Sequence, residues 1–528
     1  MGATCLTCKR IWTGVPNGPF ADTLIFSENG IAAVGSRHEV ECHPLFKDSR
    51  KVRLEDNVIL PGLSDCHLHL QAYARQKMFV DLSKARSLSE MLALLAAHAG
   101  RAAPDDWVCG FNMNEAAWGE RSMPEGKDLD TLNFPNPVLV QRICTHATIL
   151  NGRAMRLCEL DESSSSAGVL LNASGVPSGV LVEDIQAVAH DRMGRHTFSR
   201  GKLLELLKIS LDECASYGLT ALYVCGAASL GMGEQMDLYQ TLRARGELRA
   251  RVFSYHDMDP TPSMTTGFGD RWIGYQGYKL FLDGSLGART AALSEPYADA
   301  PGERGMFLHT TDNLAAKLWH LEEIGCQVLV HTIGDAALDQ LLDALEAARG
   351  GPVEGRLPLL VNHCMICRPD QMARMKKLGA AATVQPTFVP SDCEMAPSRL
   401  GDRVEKNWAY AWKSLIDAGI RLNGSSDCPI ESLNPWNAIH AAVDRETDRG
   451  VWMPEQRLTL DEALSMYTIN PALSTGMESW RGALEAGKEA DFAVLDRDIW
   501  SCSDEERRDA RVVCTVAGGT AAYGELEE

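Results

Sequence analysis

The sequence lacks the basic surplus and the long apolar runs that are typical of nucleic-acid-binding and membrane proteins. Its 51 Lys and Arg residues are outnumbered by 71 Asp and Glu residues, which gives a net charge of −20. This charge repels polyanions, so we expect no nucleic acid and no membrane among the partners. No run of about 18 apolar residues is present to span a bilayer. The N-terminal MGATCLTCKRIW also lacks the features of a signal peptide, so we expect a cytoplasmic protein.

Cysteine is too thinly distributed for a disulfide framework. The 16 cysteines are spread over 528 residues without a repeating spacing, so we expect reduced thiols. Two Cys-x-x-Cys pairs occur, Cys5/Cys8 and Cys364/Cys367. A closed zinc site would have to bring both pairs together in space, and ordinary thiols are the simpler interpretation.

The composition is that of a large globular protein. Hydrophobic residues make up 45% of the chain and charged residues 23%, a balance that allows a large core. At roughly 150 residues per domain, the length predicts three or four domains, or one large barrel with additions.

Short apolar segments near both ends predict β-strands. Residues 23–26 and 31–35 flank an Asn-Gly turn, which is the pattern of a hairpin. Near the other end, residues 482–495 and 512–516 again show short apolar segments separated by glycine. We therefore predict one composite β-sandwich domain built from residues 1–58 and 478–528.

The middle of the chain has the pattern of an α/β barrel. Eight apolar segments, several separated by amphipathic stretches such as 314–324 and 336–348, predict a distorted (β/α)8 TIM-type barrel over residues 59–76 and 201–477. The predicted strands lie at 58–60, 219–224, 251–255, 278–282, 327–330, 359–361, 380–384 and 421–423. The gap after the first segment is too long for one helix, so residues 77–200 are predicted to form an inserted subdomain or lid.

Metal-binding residue types follow the predicted barrel strands. His67 and His69 follow the first strand, and residues i and i+2 of a strand face the same side, so both imidazoles can reach one ion. Such a pair taken alone is more often part of a packed core. The later strand ends carry Lys279, His331, His363 and Asp427, in that order. Because all these ends meet at one mouth of a barrel, a shared metal site explains the set better than unrelated core residues do.

This ordered set resembles the metal-dependent amidohydrolase superfamily. Trp118 and the segments RICTHATILNGRA, KLFLDGSLGARTAA, HTIGDA, SSDCP and GKEADFAVL are similar to amidohydrolase family 3, which includes the N-substituted formamide deformylases. The similarity extends from about residue 20 to residue 500. It implies a distorted barrel with a composite β domain from both termini. Asn362 and Met113 depart from residues common in that family, Glu and Trp respectively, and neither departure removes a metal ligand.

The resemblance implies ligands for one or two divalent ions: His67, His69 and Asp427 for the first, and His331 and His363 for the second. Lys279 would bridge the two ions as an N6-carboxylysine, because a carbamate offers two anionic oxygens and an amine does not. The alternative is a buried, ion-paired Lys279 beside a single metal, since a sequence does not show the modification. The imidazole-rich set favours Zn²⁺, although iron, cobalt and manganese fit similar ligands.

The ligand set leads to an expected reaction. A divalent cation lowers the pKa of bound water from about 15.7 towards about 7, and Asp427 would act as general base and then general acid. We expect hydrolysis of a C–N bond in a small amide, formamide or cyclic amide. Related barrels also decarboxylate or deaminate, so these reactions remain alternatives. A non-catalytic metal-binding scaffold is a third hypothesis, which a proton-transferring Asp427 disfavours.

Five further residues are candidates for supporting roles. Asp283 and Arg289 follow the fourth predicted strand, where substrate contacts gather, with a loop-holding salt bridge as an equal alternative. Trp118 and His146 in the insertion are candidates for a lid over the substrate, with packing inside the subdomain as the alternative. Asp335 resembles a partner that orients His331. For the assembly, we expect a homodimer, as is common for soluble enzymes.

Overall fold

The computed structural model describes residues 2–100, 102–103, 105–118, 123–142, 147–160, 168–182, 185–226, 231–257, 264–349 and 355–526. In chain order its strands are β1 (Thr4–Ile11), β2 (Ala21–Ser27), β3 (Gly30–Gly35), β4 (Arg50–Pro61), β5 (Leu63–Leu68), β6 (Phe79–Asp81), β7 (Val108–Met113), β8 (Val138–Arg142), β9 (Ala147–Leu150), β10 (Val169–Leu171), β11 (Pro177–Val182), β12 (Leu219–Cys225), β13 (Arg251–His256), β14 (Phe268–Gly269), β15 (Ile273–Phe281), β16 (Gln327–Thr332), β17 (Leu360–His363), β18 (Ala381–Val384), β19 (Leu422–Gly424), β20 (Glu446–Thr447), β21 (Gly450–Val451), β22 (Phe492–Leu495), β23 (Val512–Ala517) and β24 (Thr520–Tyr523).

The α-helices are α1 (Arg37–Glu41), α2 (Leu70–Gln76), α3 (Leu88–Ala99), α4 (Gly126–Asp130), α5 (Gly152–Leu157), α6 (Gln186–Thr197), α7 (Arg200–Ser216), α8 (Met232–Ala244), α9 (Thr311–Glu323), α10 (Asp335–Arg349), α11 (Pro369–Leu378), α12 (Phe388–Asp392), α13 (Ala396–Leu400), α14 (Asp402–Glu405), α15 (Trp412–Asp417), α16 (Pro435–Asp444), α17 (Leu460–Tyr467), α18 (Ile469–Thr475) and α19 (Asp504–Arg508).

Eight parallel strands form the barrel sheet, in the order β19-β18-β17-β16-β15-β13-β12-β5, with β14 added antiparallel beside β15. The first and last strands of this sheet, β5 and β19, come together at their C-terminal ends. The amide of His69 donates to the carbonyl oxygen of Cys428 at 2.7 Å, and the amide of Asp427 donates to the carbonyl oxygen of His67 at 2.8 Å. These bonds bring two chain segments with predicted metal ligands side by side. The predicted α/β class and barrel are confirmed.

Burial on both faces explains why these strands are almost continuously apolar. Every residue of β12 is buried, as expected for a strand with the barrel interior on one face and helices on the other. The helices around the barrel each bury one apolar face. In α10, Leu338, Leu341, Leu342 and Leu345 are fully buried and recur with helical periodicity.

The segment 58–60 was predicted as the first barrel strand, and that prediction was wrong. It belongs to β4, which pairs antiparallel with β22 in another sheet. The chain then turns at Gly62 and enters the true first barrel strand, β5. A Cβ atom at Gly62 would lie 2.3 Å from the Oγ1 atom of Thr220, so only glycine permits this close approach. Residues 58–60 are as fully buried as β5, and the strands with which each segment pairs distinguish the two.

Strands from both ends of the chain form one seven-stranded sheet, in the order β24-β23-β22-β4-β1-β2-β3. Its core contains Leu6, Phe26 and Phe492, and the two phenylalanine rings lie 5.0 Å apart. A buried ion pair joins this sheet to the barrel: the Nε atom of Arg251 in β13 lies 2.8 Å from the Oδ2 atom of Asp491, next to β22.

Residues 71–209 form a separate compact unit. Its sheet has the order β10-β11-β9-β8-β7-β6 and carries its own hydrophobic core, which includes Met91, Val138 and Trp118. Within the described ranges, no helix of the protein has both the length and the apolar character needed to cross a membrane.

Candidate metal centre

The six predicted ligands all lie at the C-terminal ends of barrel strands. His67 lies in β5 and His69 directly after it, and Lys279 and His331 lie in β15 and β16. His363 is the last residue of β17, and Asp427 follows β19. The imidazoles form a cluster, with ring centroids 5.1 Å apart for His67–His69, 5.6 Å for His67–His363 and 4.4 Å for His331–His363.

Three of these side chains converge closely enough to share an ion. The Oδ1 atom of Asp427 lies 2.9 Å from the Nε2 atom of His67 and 3.3 Å from that of His69. The candidate ligand atoms of all three residues lie within 4.8 Å of one another. This geometry suits a small divalent cation bound by nitrogen and oxygen.

The other ring nitrogens show which atoms are available as ligands. The Nδ1 atom of His69 lies 3.0 Å from the carbonyl oxygen of Cys225, which only accepts hydrogen bonds, so Nδ1 carries the proton. The Nδ1 atom of His67 faces the Cys225 thiol at 2.9 Å. In this tautomer the lone pair of His69 Nε2 faces a carboxylate oxygen of Asp427, an arrangement that repels unless a proton or a cation lies between them. The donor set therefore fits a metal ion.

The electrostatic environment also suits metal binding. Burial, reinforced by the charge of Lys279, lowers the pKa of His67 to about 3 and so keeps its imidazole neutral at pH 7. Burial alone would raise the pKa of Asp427, but a proton placed between its carboxylate and the imidazoles of His67 and His69 outweighs burial and holds this pKa well below its ordinary value. A neutral imidazole and an ionised carboxylate are the protonation states that ligate metals.

Lys279 is buried beside this cluster. It is 2% exposed, and its Nζ atom has no hydrogen-bond partner in the part of the chain that the structure describes. Burial lowers its pKa to about 8, although Cys225, Asp427 and Asp257 oppose the shift. The ring of Phe281 lies 5.2 Å from Nζ. A buried amine without a partner is costly, so this site calls for a further group on or next to Nζ.

His331 and His363 present different ring nitrogens to the centre. The Nε2 atom of His331 donates to the carbonyl oxygen of Gly284 at 3.1 Å, which leaves the lone pair on Nδ1. The Nδ1 atom of His363 instead lies 2.8 Å from the Oε1 atom of Gln385. Burial lowers the pKa of His331 to about 4 and that of His363 well below its usual value, so both imidazoles are neutral.

Three supporting residues were missed by the sequence analysis. Cys225 ends β12 and contacts both histidines of the His-x-His pair, while Gln385 follows β18 and contacts His363. Asp65 is fully buried, and its carboxylate accepts hydrogen bonds from the amides of Ser426 and His67. The rule that function gathers at strand ends would have pointed to Cys225 and Gln385, since each directly follows a predicted strand.

Asp283 and Arg289 have partners within their own loop region. The Asp283 carboxylate accepts hydrogen bonds from three backbone amides, those of Ala292, Ile333 and Gly334. Burial raises its pKa to about 6. Arg289 forms an ion pair with Asp299 at 3.0 Å. These contacts correspond to the loop-holding alternative, and the observed geometry gives no specific support to a substrate contact.

Asp335 has contacts other than the expected one with His331. Its carboxylate accepts hydrogen bonds from the amide and hydroxyl of Ser294, and it forms an ion pair with Arg368 at 2.9 Å. The Nε2 atom of His331 is instead directed towards Gly284, with the carboxylate of Asp283 3.7 Å away. The carboxylate near the His331 imidazole is therefore that of Asp283, while Asp335 bonds to Ser294 and Arg368.

Trp118 packs within the inserted unit. Its ring is 4% exposed in the core around Met91 and Val138, and its Nε1 atom donates to the carbonyl oxygen of Ala85 at 3.0 Å. This corresponds to the packing alternative. The other predicted lid residue, His146, lies outside the described residues.

Comparison with known proteins agrees with this geometry. Residues 52–523 match the model of the Amidohydrolase family, which confirms the resemblance seen in the sequence. The chain is 28% identical to amidohydrolase YtcJ of Bacillus subtilis (strain 168), with 98% of this chain and 99% of YtcJ covered. It is 27% identical to N-substituted formamide deformylase of Arthrobacter pascens, with 95% of each covered.

A solved structure is similar over nearly the whole chain. It is an uncharacterized metal-dependent hydrolase from Pyrococcus horikoshii OT3, with a TM-score of 0.80 and 26% identity. The similarity covers 96% of this chain and 99% of that one.

Proposed function

Because the chain belongs to the amidohydrolase family, we propose that it is a metal-dependent hydrolase that cleaves a C–N bond in a small amide, formamide or cyclic amide. The observation that carries the proposal is the convergence of His67, His69 and Asp427, whose candidate ligand atoms lie within 4.8 Å of one another. The similarity to a formamide deformylase supports the choice of bond.

His67, His69 and Asp427 would hold a first divalent ion, for which the nitrogen-rich set favours Zn²⁺. His331 through Nδ1 and His363 through Nε2 would hold a second ion. When bound, such ions acidify water and polarise a carbonyl group. The buried histidines contribute neutral imidazoles, which stay available as ligands at neutral pH.

We propose that Lys279 is carboxylated on Nζ and lies between the two groups of ligands. The support is its burial without a hydrogen-bond partner in the described chain, together with a pKa lowered to about 8. Carboxylation replaces a costly buried ammonium with an anionic carbamate whose two oxygens suit cations. The neutral amine that reacts with carbon dioxide is appreciably populated near pH 8.

Asp427 moves the proton in the proposed reaction. Its carboxylate is ionised because its pKa is held low, so it accepts a proton from the attacking water and delivers it to the leaving nitrogen. The backbone of Asp427 is fixed in a left-handed conformation, with φ of 56°, and bonded to the carbonyl oxygen of His67. This keeps the carboxylate in place next to the imidazoles.

The test is Asp427→Asn, assayed against a panel of amides, N-substituted formamides and cyclic amides. The amide keeps an oxygen as ligand but loses the base, so we expect most bound metal to remain and kcat to fall by roughly 100-fold or more. Metal content is measured by elemental analysis. The matched control is Asp504→Asn at an exposed position, which should leave both quantities unchanged. A kcat close to that of the wild type in Asp427→Asn contradicts the assigned role.

A further inference from the structure

Gln385 is buried directly after β18 and joins three strand ends. Its Oε1 atom lies 2.8 Å from the Nδ1 atom of His363, and its Nε2 atom lies 2.8 Å from the Oγ atom of Ser425. We propose that Gln385 is a positioning residue that holds His363 in the Nδ1–H tautomer and thereby makes Nε2 its ligand atom. The proposal rests on the metal-binding role of His363 given above.

The hydrogen-bond network allows one orientation of the Gln385 amide. The Ser425 hydroxyl donates its proton to the carbonyl oxygen of Val384 at 3.1 Å, so towards Gln385 it acts as an acceptor. The NH₂ group of Gln385 therefore faces Ser425, and it also faces the Oδ1 atom of Asn362 at 3.4 Å. A flipped amide would place oxygen against oxygen at Asn362. The Oε1 atom must then face His363, where it accepts the Nδ1 proton.

The orientation of Asn362, which follows from the same network, is consistent with this tautomer. Because its Oδ1 atom faces the NH₂ group of Gln385, its own NH₂ group faces His363, with its Nδ2 atom 2.9 Å from Nε2. A donor at this distance requires a lone pair on Nε2. The Nε2 lone pair of His363 is thus directed at the Asn362 amide, and an ion bound at Nε2 would replace this amide as its partner.

Burial makes the network hard to replace by water. Asn362 and Ser425 are fully buried and Gln385 is 1% exposed. A lost partner would leave an unsatisfied polar group. The network also links β17 to the segment after β19, because Ser425 lies two residues before Asp427. One glutamine therefore fixes a ring nitrogen of one proposed metal site and the start of the segment that carries the proposed base.

The experiment begins with the tautomer in metal-free, ¹⁵N-histidine-labelled full-length protein. Long-range ¹H–¹⁵N correlation spectra distinguish the Nδ1–H from the Nε2–H form, and His363→Gln assigns the signal. We expect the Nδ1–H form in the wild type and loss of this preference in Gln385→Met, which has a similar shape but no acceptor oxygen. Gln385→Glu keeps an acceptor at the same reach, so it should retain the Nδ1–H form.

Zn²⁺ affinity, measured by competition with a chromophoric chelator, is the second readout. Loss of a partner that orients a metal-binding histidine typically weakens binding by about 10–100-fold, so we expect this loss in Gln385→Met and a largely restored affinity in Gln385→Glu. His69 is the internal control, because its Nδ1 atom is held by a backbone oxygen that no variant removes.

An Nε2–H tautomer of His363 in the wild type overturns the proposal, and this result needs no variant to fold. An unchanged tautomer and unchanged Zn²⁺ affinity in folded Gln385→Met overturn it as well. Neither readout depends on catalysis. Absence of hydrolysis across the amide panel would contradict the proposed function and leave the tautomer result standing, so the two failures are distinguishable.

Discussion

At the residue scale, burial decides the chemistry of the site. His67, His331 and Lys279 are ordinary side chains in water, yet burial lowers the pKa of each of them. For the histidines this preserves the lone pair that a metal needs. For Lys279 it produces a neutral amine close to physiological pH, which is the nucleophilic form.

Lys279 should react with carbon dioxide in a pH-dependent way. With a pKa of about 8, roughly a tenth of the amine is neutral at pH 7 and about nine tenths at pH 9. We expect the ¹³C carbamate signal of metal-free protein in ¹³C-bicarbonate to rise over this interval. Lys279→Met is the control and should lack the signal. A signal that persists in Lys279→Met, or one that is absent from the wild type at pH 9, contradicts the proposal.

Site residues were predictable to the extent that strand ends identified them. His67, His69 and Asp427 were predicted as ligands from their positions after apolar segments, and the structure brings them within one cluster. Asp335 was predicted from sequence similarity to orient the His331 imidazole, but its carboxylate bonds to Ser294 and Arg368. Hydrogen-bond partners depend on side-chain directions across loops, which residue spacing does not encode.

At the element scale, the junction between the barrel and the terminal sheet depends on a buried ion pair. Arg251 at the start of β13 is fully buried and binds both Asp491 and Glu489 next to β22. Burial alone would raise the pKa of Asp491, but Arg251 outweighs it and lowers this pKa below its ordinary value. The ionised pair therefore stabilises the folded state.

Asp491→Asn should destabilise the protein by at most about 3–5 kcal/mol, because the buried guanidinium of Arg251 loses one of its two partner charges and keeps Glu489. The folded-state pKa of Asp491 is lower than the unfolded one, so its contribution is present above the ordinary carboxyl pKa and is lost as pH falls through the folded value. Denaturant unfolding at pH 7 and in acid measures this difference.

The control for this prediction is Glu41→Gln, which removes the exposed Arg37–Glu41 pair on α1. Its unfolding curve should match that of the wild type, since exposed pairs contribute little. If Glu41→Gln and Asp491→Asn lowered the free energy of unfolding equally, the buried pair would have no special role. The role would also be contradicted if the difference in the free energy of unfolding between Asp491→Asn and the wild type were as large in acid as at pH 7.

Element types were mostly predictable, and their partners were not. Residues 219–224 and 327–330 were predicted as barrel strands and lie in β12 and β16. Residues 58–60 have the same apolar character but pair with β22. An apolar β segment indicates burial on both faces, and it does not identify which sheet provides the neighbours.

At the scale of the whole molecule, metal binding should be coupled to stability. The candidate ligands come from strands on both sides of the meeting point of β5 and β19, so an ion bound there holds the barrel closed. A ligand that binds only the folded state stabilises it by about 2.7 kcal/mol at 100 times its Kd. The net charge of −20 also favours cations near the protein.

We therefore expect chelation to lower the Tm and added Zn²⁺ to restore it, as measured by calorimetry or dye-based thermal unfolding. The variant His67→Ala/His69→Ala should respond much less, because it lacks two ligands. Identical Tm values for chelated and Zn²⁺-loaded wild type would contradict metal binding by the folded protein.

The sequence by itself determined the α/β class, the order of the last seven barrel strands and the residues available as ligands. These follow from local periodicity and from the rule that parallel strands place their ends at one mouth. Only the tertiary structure decided that β4 lies outside the barrel sheet, that Asp283 accepts hydrogen bonds from backbone amides and that Gln385 and Cys225 contact the histidines. Such contacts join residues far apart in the chain, and their geometry exists only once the strands have paired and the side chains have packed.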